Sequence, residues 1–284
     1  MKVIELTTLM QQTSRHAARP LVFVPTMGAL HEGHASLIRH ARELAGTSGT
    51  VAVSIFLNPK QFTSAQDLEL YPRPFAADQA LCEEAGADLI FHPSAEEMYP
   101  SDTSVTVQET QLSRGLCGAS RPGHFDGVAT VLTKFFNIIS PDQVVFGEKD
   151  WQQLAIVRRL VRDLNFAIEV IGYPTVREED GLALSSRNTR LLKGERVVAP
   201  KIYEALEETR RLVLQGESDV STLLESTRTA LKAIPGATID YIEIMNEETL
   251  TPLSNITEPS KPRLFVAAKL GETRLIDNIS LLQK

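Results

Sequence analysis

The chain has 284 residues, enough for one large domain or two ordinary ones, and 43% of them are hydrophobic and 23% charged, the balance of a globular protein. The formal net charge of −7 argues against a general nucleic-acid or membrane-surface binder, although a local basic cluster could still hold a small anion. No apolar run approaches the roughly 20 residues that cross a bilayer, and the N-terminus contains no signal-peptide core, so we expect a cytoplasmic protein.

Apolar runs alternate with helix-like stretches up to residue 175. Strands are predicted at 21–26, 51–57, 88–93 and 103–108 and at "QVVFG" and "IEVIGYP". Helices are predicted at about 35–45, at "AADQALCEEAG" with Gly86 as its C-cap, at about 128–139, and at "WQQLAIVRRLVRDLN". This alternation implies right-handed βαβ units, and therefore a doubly wound α/β domain with a mostly parallel sheet.

The pattern changes after Pro174. Two consecutive helices are predicted over about 199–215 and 220–234, followed by strands at "IDYIEIM", "RLFVAAKL" and "GETRLIDNI". Because helices followed by strands suggest an α+β arrangement, we predict a first domain at 1–175 and a smaller one at 176–284. A cleft between two such domains is the default ligand site.

The stretch "PTMGALHEGH" (25–34) follows the first strand of the series, at the sheet edge where open α/β proteins bind ligands. Gly28 and Gly33 let the backbone approach a ligand, and the free N–H groups of the next helix favour phosphate. His31 and His34 share one face of that helix end and can both donate to phosphate oxygens. A solvated histidine pair is the alternative, whereas zinc fits poorly because the spacing is not H-E-x-x-H.

The stretch "FGEKDWQQL" (146–154) also follows a strand and opens a helix. Lys149 would place a compact cation at the sheet edge, and Asp150 could cap the helix or reach a ribose hydroxyl. Gln153 lies one turn further and can both donate and accept. A capped helix with a solvated lysine is an equally good interpretation of this stretch alone.

Two further stretches offer polar groups. "DGLALSSRN" (180–188) contains hydroxyl donors and a guanidinium fork suited to phosphate, although an ordinary serine-rich turn is slightly favoured for it alone. "FLNPKQF" (56–62) supplies Asn58 and Gln61, which suit a small hydroxylated or carboxylate substrate, unless they only serve the turn around Pro59.

Several common catalytic devices are missing from the sequence. There is no P-loop, no G-x-G-x-x-G and no G-x-S-x-G, so any nucleotide must be held in another way. Cys82 and Cys117 provide neither a disulfide framework nor a metal-ligand spacing. We expect both to be reduced structural thiols, Cys82 in a helix and Cys117 in a glycine-containing loop.

Together these motifs resemble a known family. "HEGH" is similar to the H-x-G-H signature of nucleotidylyltransferases and class I aminoacyl-tRNA synthetases, and "LSSRN" corresponds to their second, mobile phosphate-binding motif. With "LYPR" and "RPGHFDGV" added, the order of motifs over nearly the whole chain resembles the pantothenate synthetase (pantoate–β-alanine ligase) family. The departures are Trp151, where Phe or Tyr is usual, and Leu57, where Val is common.

The resemblance implies a Rossmann-like N-terminal domain, a smaller C-terminal lid and a homodimer. It also implies a ligase of the coenzyme A pathway that uses ATP with Mg²⁺. Pantoate would first form pantoyl adenylate with release of pyrophosphate. The amine of β-alanine would then displace AMP to give pantothenate, and we expect neither nucleic acid nor membrane as a partner.

The resemblance also implies site residues, position by position. ATP would contact Met27, Gly28, Ala29, Leu30, His31, Glu32, Gly33, His34, Gly147, Glu148, Lys149, Asp150, Val176, Leu184, Ser185, Ser186 and Arg187. Pantoate would contact Gln61 and Gln153, and β-alanine would contact Gln61, Asn58 and Tyr71. The charge on the leaving pyrophosphate would be met by His31, His34, Lys149, Ser185, Ser186 and Arg187, with His34 in the position of the proton donor. Asp78 is the one candidate protein contact to Mg²⁺, which the phosphates would mainly hold.

Two other classes stay open at this stage. An adenylyl- or cytidylyltransferase for another substrate, such as a phosphopantetheine-like or nicotinate nucleotide, would share H-x-G-H but neither "FLNPKQF" nor "FGEKDWQQL". A non-catalytic nucleotide-binding regulator or an RNA-binding synthetase fragment is disfavoured by the intact polar set and by the acidic balance.

Overall fold

The computed structural model describes residues 1–257 and 259–282, so the predicted end of the second domain at residue 284 lies outside the described part. The chain divides into two compact units. Unit 1 comprises Met1–Glu148 and Ile156–Pro174, and unit 2 comprises Lys149–Ala155 and Thr175–Lys284. The domain division at residues 175 and 176 stays a prediction.

Unit 1 contains a parallel sheet of six strands among the described residues, in the order β1-β4-β3-β2-β5-β6. The strands are β1 Lys2–Ile4, β2 Leu21–Thr26, β3 Thr50–Ile55, β4 Leu89–Phe91, β5 Gln143–Gly147 and β6 Glu169–Tyr173. The central strands β2 and β3 are almost wholly buried along their length, which explains their continuous apolar sequences. The predicted doubly wound sheet is confirmed, and every pairing in it is parallel.

Helices connect these strands. They are α1 Thr7–Arg15, α2 Glu32–Ala45, α3 Ala65–Glu69, α4 Phe75–Glu84, α5 Ala95–Met98, α6 Leu116–Ser120, α7 His124–Ile139 and α8 Trp151–Asp163. In α2 the buried side chains recur at helical spacing, at Ala35, Leu37, Ile38, Ala41 and Ala45. Gly86, at φ +93°, follows the last residues of α4 and donates its N–H to the carbonyl of Glu83, as expected for a glycine that ends a helix.

The strand order reverses between β2 and β5, which lie side by side while their neighbours extend in opposite directions. In open α/β sheets this reversal opens a crevice at the carboxyl ends of the strands. The stretch 27–31 leaves β2 at that point, and Gly147 ends β5 there. The topology therefore directs the loop after β2 and the end of β5, where the first two predicted ATP segments begin, to the usual ligand position.

Three local predictions are wrong. Residues 103–108 form no strand, because the backbone of Val107 exchanges hydrogen bonds with the Thr130 hydroxyl of α7, at 3.0 and 3.3 Å, instead of with a neighbouring strand. Cys117 lies in the short helix α6 rather than in a loop. Helix α7 begins at His124, earlier than the predicted 128, because Gly123 at φ +79° starts the turn that precedes it.

Unit 2 contains the helices α9 Lys193–Val198, α10 Lys201–Leu214 and α11 Val220–Lys232 and the strands β7 Ala237–Asn246, β8 Pro262–Leu270 and β9 Thr273–Ser280. The strands form an antiparallel sheet in chain order. The helices bury one face against it, through a core that includes Leu206, Leu223, Leu231, Leu264 and Val266. The predicted α+β arrangement is confirmed, including the third strand at "GETRLIDNI".

Candidate functional site

The loop after β2 is held open by one carboxylate. Asp78, on α4, accepts the N–H of Ala29 at 2.9 Å and the N–H of Leu30 at 2.7 Å, one on each oxygen. Gly28 takes φ +81°, and a Cβ added there would lie 3.0 Å from an Asp78 oxygen, so the loop needs glycine at this position. The visible role of Asp78 is therefore to shape this loop, and its contact with Mg²⁺ stays a prediction.

The two histidines cap α2 reciprocally. Nδ1 of His31 accepts the N–H of Gly33 at 3.2 Å, and Nδ1 of His34 accepts the N–H of His31 at 3.3 Å. The two ring centroids lie 4.1 Å apart. Because each Nδ1 is an acceptor, each neutral ring carries its proton on Nε2. The capping box thus selects the tautomer in which both histidines present an Nε2–H donor.

The pair Asn58 and Gln61 forms a buried amide cluster at the end of β3. Nδ2 of Asn58 donates to Oε1 of Gln61 at 3.0 Å and to the carbonyl of Gly127 at 3.0 Å. Nε2 of Gln61 donates to the sulfur of Met27 at 2.6 Å, which joins this cluster to the loop after β2. Two of the segments that were predicted to hold substrates are therefore in contact within unit 1.

Three further residues, to which the sequence pattern assigns no role, support this cluster. The hydroxyl of Tyr99 donates to Oδ1 of Asn58 at 2.8 Å, and burial raises the pKa of this phenol, which keeps the donor protonated. Nδ1 of His124 lies 2.8 Å from the carbonyl of Gln61. A Cβ on Gly127 would lie 2.3 Å from the carbonyl oxygen of Lys60, so α7 packs directly on the turn Pro59–Gln61.

The remaining β-alanine candidate, Tyr71, packs edge-to-face against Phe62 at 5.8 Å. Phe62 directly follows the turn Pro59–Gln61, so Tyr71 lies beside the segment that carries Asn58 and Gln61. Its predicted contact with substrate is not tested by this packing.

In unit 2, three of the predicted phosphate ligands line one small pocket. Lys149, Ser185 and Arg187 share it with side chains of α10 and β9. The Ser185 hydroxyl accepts the N–H of Arg187 at 3.2 Å and so caps the turn Ser186–Arg190. The pKa of the Lys149 ammonium lies below its ordinary value because burial disfavours the charged form, an effect that Asp150 partly offsets.

The other predicted ATP residues of unit 2 lie next to this pocket in the chain. Leu184 donates its N–H to the carbonyl of Val176 at 2.9 Å, which closes the hairpin before Ser185. Asp150 is exposed directly before α8, and Gln153 is half-buried in its first turn. Gln153 belongs to unit 2, whereas Gln61 belongs to unit 1.

In unit 1, an open parallel sheet with a histidine-capped helix at its reversal point is typical of α/β enzymes that act on phosphorylated ligands. Unit 2 separately contains a pocket lined by a lysine, a serine and an arginine. The profile of one family, pantoate-beta-alanine ligase, matches residues 1–280. The chain belongs to this family and is a ligase of that type.

Relatives in sequence and in structure agree. A pantothenate synthetase of Thermotoga petrophila is 49% identical over 284 residues, which is 99% of this chain and 100% of the relative. A pantothenate synthetase of Pseudomonas fluorescens is 50% identical over 270 residues, covering 94% and 92%. The crystal structure of the pantothenate synthetase from Thermus thermophilus superposes with a TM-score of 0.92 at 45% identity over 100% of both chains.

A further solved relative carries ligands. The pantoate-beta-alanine ligase of Francisella tularensis, solved in complex with beta-gamma ATP and beta-alanine, has a TM-score of 0.79 at 32% identity and covers 100% of this chain and 99% of its own. No helix among the described residues of the present chain is long and apolar enough to cross a membrane.

Proposed function

We propose that this chain joins pantoate to β-alanine with consumption of ATP, giving pantothenate, AMP and pyrophosphate. The observation that carries this proposal is the family match over residues 1–280. The Francisella relative supports ATP and β-alanine as ligands. A homodimer and a cytoplasmic location remain predictions.

We assign ATP to the residues that the resemblance implies in both units, from Met27 to His34, from Gly147 to Asp150, and at Val176 and Leu184–Arg187. His31 and His34 support this assignment because their shared tautomer presents Nε2–H donors to phosphate oxygens. Lys149, Ser185 and Arg187 support it because a cation, a hydroxyl and a guanidinium fork line one pocket.

We assign pantoate to Gln61 and Gln153 and β-alanine to Gln61, Asn58 and Tyr71. Gln61 supports this assignment because its Nε2 donates to a thioether, a weak acceptor that a substrate oxygen can replace. Its Oε1 is meanwhile held by Asn58, which fixes the direction in which the amide points.

The reaction has two steps and needs no covalent enzyme intermediate. A carboxylate oxygen of pantoate attacks the α-phosphorus of ATP, and the bond to pyrophosphate breaks. The amine of β-alanine then attacks the acyl carbon, the bond to AMP breaks, and the amine loses a proton to water. The enzyme contributes by holding the reactants in line and by placing fixed donors around the charge that develops on the departing pyrophosphate.

Mg²⁺ fits this site as an ion held mainly by the nucleotide. Proteins commonly bind it through one or two carboxylates and substrate phosphates. When bound, the ion neutralises phosphate charge. Asp78 remains the candidate protein contact, although both of its oxygens already accept backbone N–H groups.

The proposal is tested by measuring pyrophosphate and AMP from ATP and Mg²⁺, first with pantoate and then with pantoate and β-alanine. Pyrophosphate release that requires pantoate, followed by AMP release on addition of β-alanine, is the expected result. Binding of ATP without pantoate-dependent turnover would contradict it and would direct the search to the substrates of other nucleotidylyltransferases.

A further inference from the structure

Arg263 is a buried cation in the middle of an antiparallel sheet. It lies in β8, its side chain is 6% exposed, and its neighbours along the strand are apolar. Nη1 donates to Oδ1 of Asn278 at 2.8 Å, while Nε and Nη2 donate to one carboxylate oxygen of Glu247 at 3.2 and 3.1 Å. Burial of a charge is costly unless it is paired and hydrogen-bonded, and Glu247 and Asn278 supply that pairing here.

The segment that this network holds is 149–151. Nδ2 of Asn278 donates to the backbone carbonyl of Lys149 at 2.9 Å. The indole N–H of Trp151 donates to the carbonyl of Glu247 at 2.8 Å, and the guanidinium carbon of Arg263 lies 3.3 Å from the centre of the Trp151 ring. Arg263 therefore fastens both ends of this short segment to the sheet, one through Asn278 and the other by stacking.

Lys149 depends on this anchoring more than an ordinary ion-paired lysine would. Within residues 1–257 and 259–282, no carboxylate lies within 4.0 Å of its ammonium. A lysine side chain is a flexible stem with a compact charge at its end. The position of the charge therefore depends on the backbone from which the stem starts as well as on the side chains that line its pocket.

We propose that Arg263 is a positioning residue for Lys149, which it aims at the phosphates of ATP by anchoring residues 149–151 through Asn278 and Trp151. This inference rests on the proposed function, since it assigns Lys149 to the nucleotide. Arg263 touches neither substrate nor reacting atoms in this role and acts only through Lys149.

A double-mutant cycle tests the dependence. Arg263→Met, Lys149→Ala and the double variant are compared for pantoate-dependent pyrophosphate release, as kcat/KM for ATP, and for the Kd of ATP measured without turnover. We expect Arg263→Met alone to lower kcat/KM for ATP by about 10- to 100-fold, and by less than about threefold when Lys149 is already alanine. The KM for β-alanine is expected to stay unchanged.

Two further variants protect the test from a loss of folding. Arg263→Lys keeps the buried charge, but an ammonium cannot donate to Asn278 and Glu247 at the same time with the geometry of a guanidinium. Asn278→Ala directly removes the hydrogen bond to the Lys149 carbonyl. Both are expected to show the same dependence on Lys149. The matched control is Thr209→Val, which removes the buried hydrogen bond between the hydroxyls of Thr209 and Thr227 in unit 2 and leaves 149–151 untouched.

The inference would be overturned if Arg263→Met lowered kcat/KM for ATP by the same factor in the Lys149→Ala background as in the unmodified chain. It would also be overturned if Thr209→Val, at the same loss of thermal stability as Arg263→Met, lowered kcat/KM for ATP by an equal factor. Failure of the proposed function looks different, because the unmodified chain would then release no pyrophosphate with pantoate. In that case the cycle measured on the Kd of ATP still decides the role of Arg263.

Discussion

The two regions that carry the proposed phosphate ligands hold them by different means. In unit 1, His31 and His34 hold each other through a pair of hydrogen bonds that closes within one helical turn. In unit 2, Lys149 is held by Asn278, 129 positions further along the chain, and through it by Arg263. The contacts of the cap are local to its helix, whereas the contacts that hold the lysine segment come from the antiparallel sheet, far along the chain. Local changes in unit 1 should therefore have local effects, and changes in the unit 2 network should reach the site from a distance.

The largest expected effect comes from removing the charge of Lys149 in unit 2. Lys149→Ala should lower kcat by about two to three orders of magnitude, because one preorganised donor to developing charge contributes about 3 to 4 kcal/mol. The thermal midpoint should change little, since no carboxylate of the described residues pairs with this ammonium. Steady-state pyrophosphate release and a melting curve measure both. Near-normal turnover in a folded variant would remove Lys149 from the mechanism.

In unit 1, one substitution at His34 separates its role as a helix cap from its proposed role as a phosphate donor. His34→Glu keeps an acceptor for the N–H of His31, as in an ordinary capping box, but has no donor for phosphate. We expect stability within about 0.5 kcal/mol of the unmodified chain and turnover lowered by at least about 100-fold. His34→Ala, which loses cap and donor together, is the comparison and should also lose about 1 kcal/mol of unfolding free energy. Equal stability losses in the two variants would show that the cap is not restored.

A smaller effect is expected where two elements of unit 1 touch backbone to backbone. Gly127→Ala would force the turn Pro59–Gln61 away from α7 and tilt the amide of Gln61. We expect the KM for pantoate to rise by about 10-fold with unchanged affinity for ATP, and stability to fall by about 1 to 3 kcal/mol. Gly194→Ala is the matched control, because a Cβ there meets nothing within 4 Å. An unchanged KM for pantoate would contradict the proposed role of Gln61.

The smallest effect is a change in pH dependence. Lys149 binds phosphate in its charged form, and burial lowers its pKa, so this charge is lost at a lower pH than that of a solvated lysine. The kcat/KM for ATP should therefore have fallen about 2-fold when the pH reaches that pKa and about 5-fold roughly half a pH unit above it, as the start of the larger loss expected for Lys149→Ala. Lys149→Arg stays charged and should show no such fall. An alkaline fall that is identical in both enzymes would assign it to another group.

The sequence predicts what depends on short spacings. The turn at Pro59, the helix that begins at the histidine pair and the alternation of strands and helices are all encoded within a few residues, and the structure contains them. The prediction of a strand at 103–108 is wrong because its alternating pattern carries no information about Thr130. The hydroxyl of Thr130 accepts the N–H of Val107, which a neighbouring strand would otherwise bind. Tyr99 is packed on the amide cluster from a distant position and no local signal marks it, whereas Gly127 lies in the motif "RPGHFDGV", which does not itself indicate the contact with the turn at Pro59.

Arg263 shows the same limit more clearly. In "PRLFVAAKL", an arginine near the start of a strand is typical of an exposed charge at a sheet edge, with its aliphatic part packed on apolar neighbours. Only the folded unit shows that its side chain is buried against Trp151, Glu247 and Asn278. Partners chosen by tertiary packing rather than by spacing cannot be read from one sequence.

The division of α8 between the two units has a consequence for how this chain can be cut. Residues Lys149–Ala155 belong to unit 2 although unit 1 resumes at Ile156 and continues to Pro174. The C-terminal unit is therefore discontinuous, and a fragment that starts at residue 175 lacks the tryptophan on which Arg263 stacks. Expressed alone, that fragment would carry an arginine in a cavity left by a missing indole. An excised version of unit 2 would have to bring 149–155 back as a grafted or permuted segment.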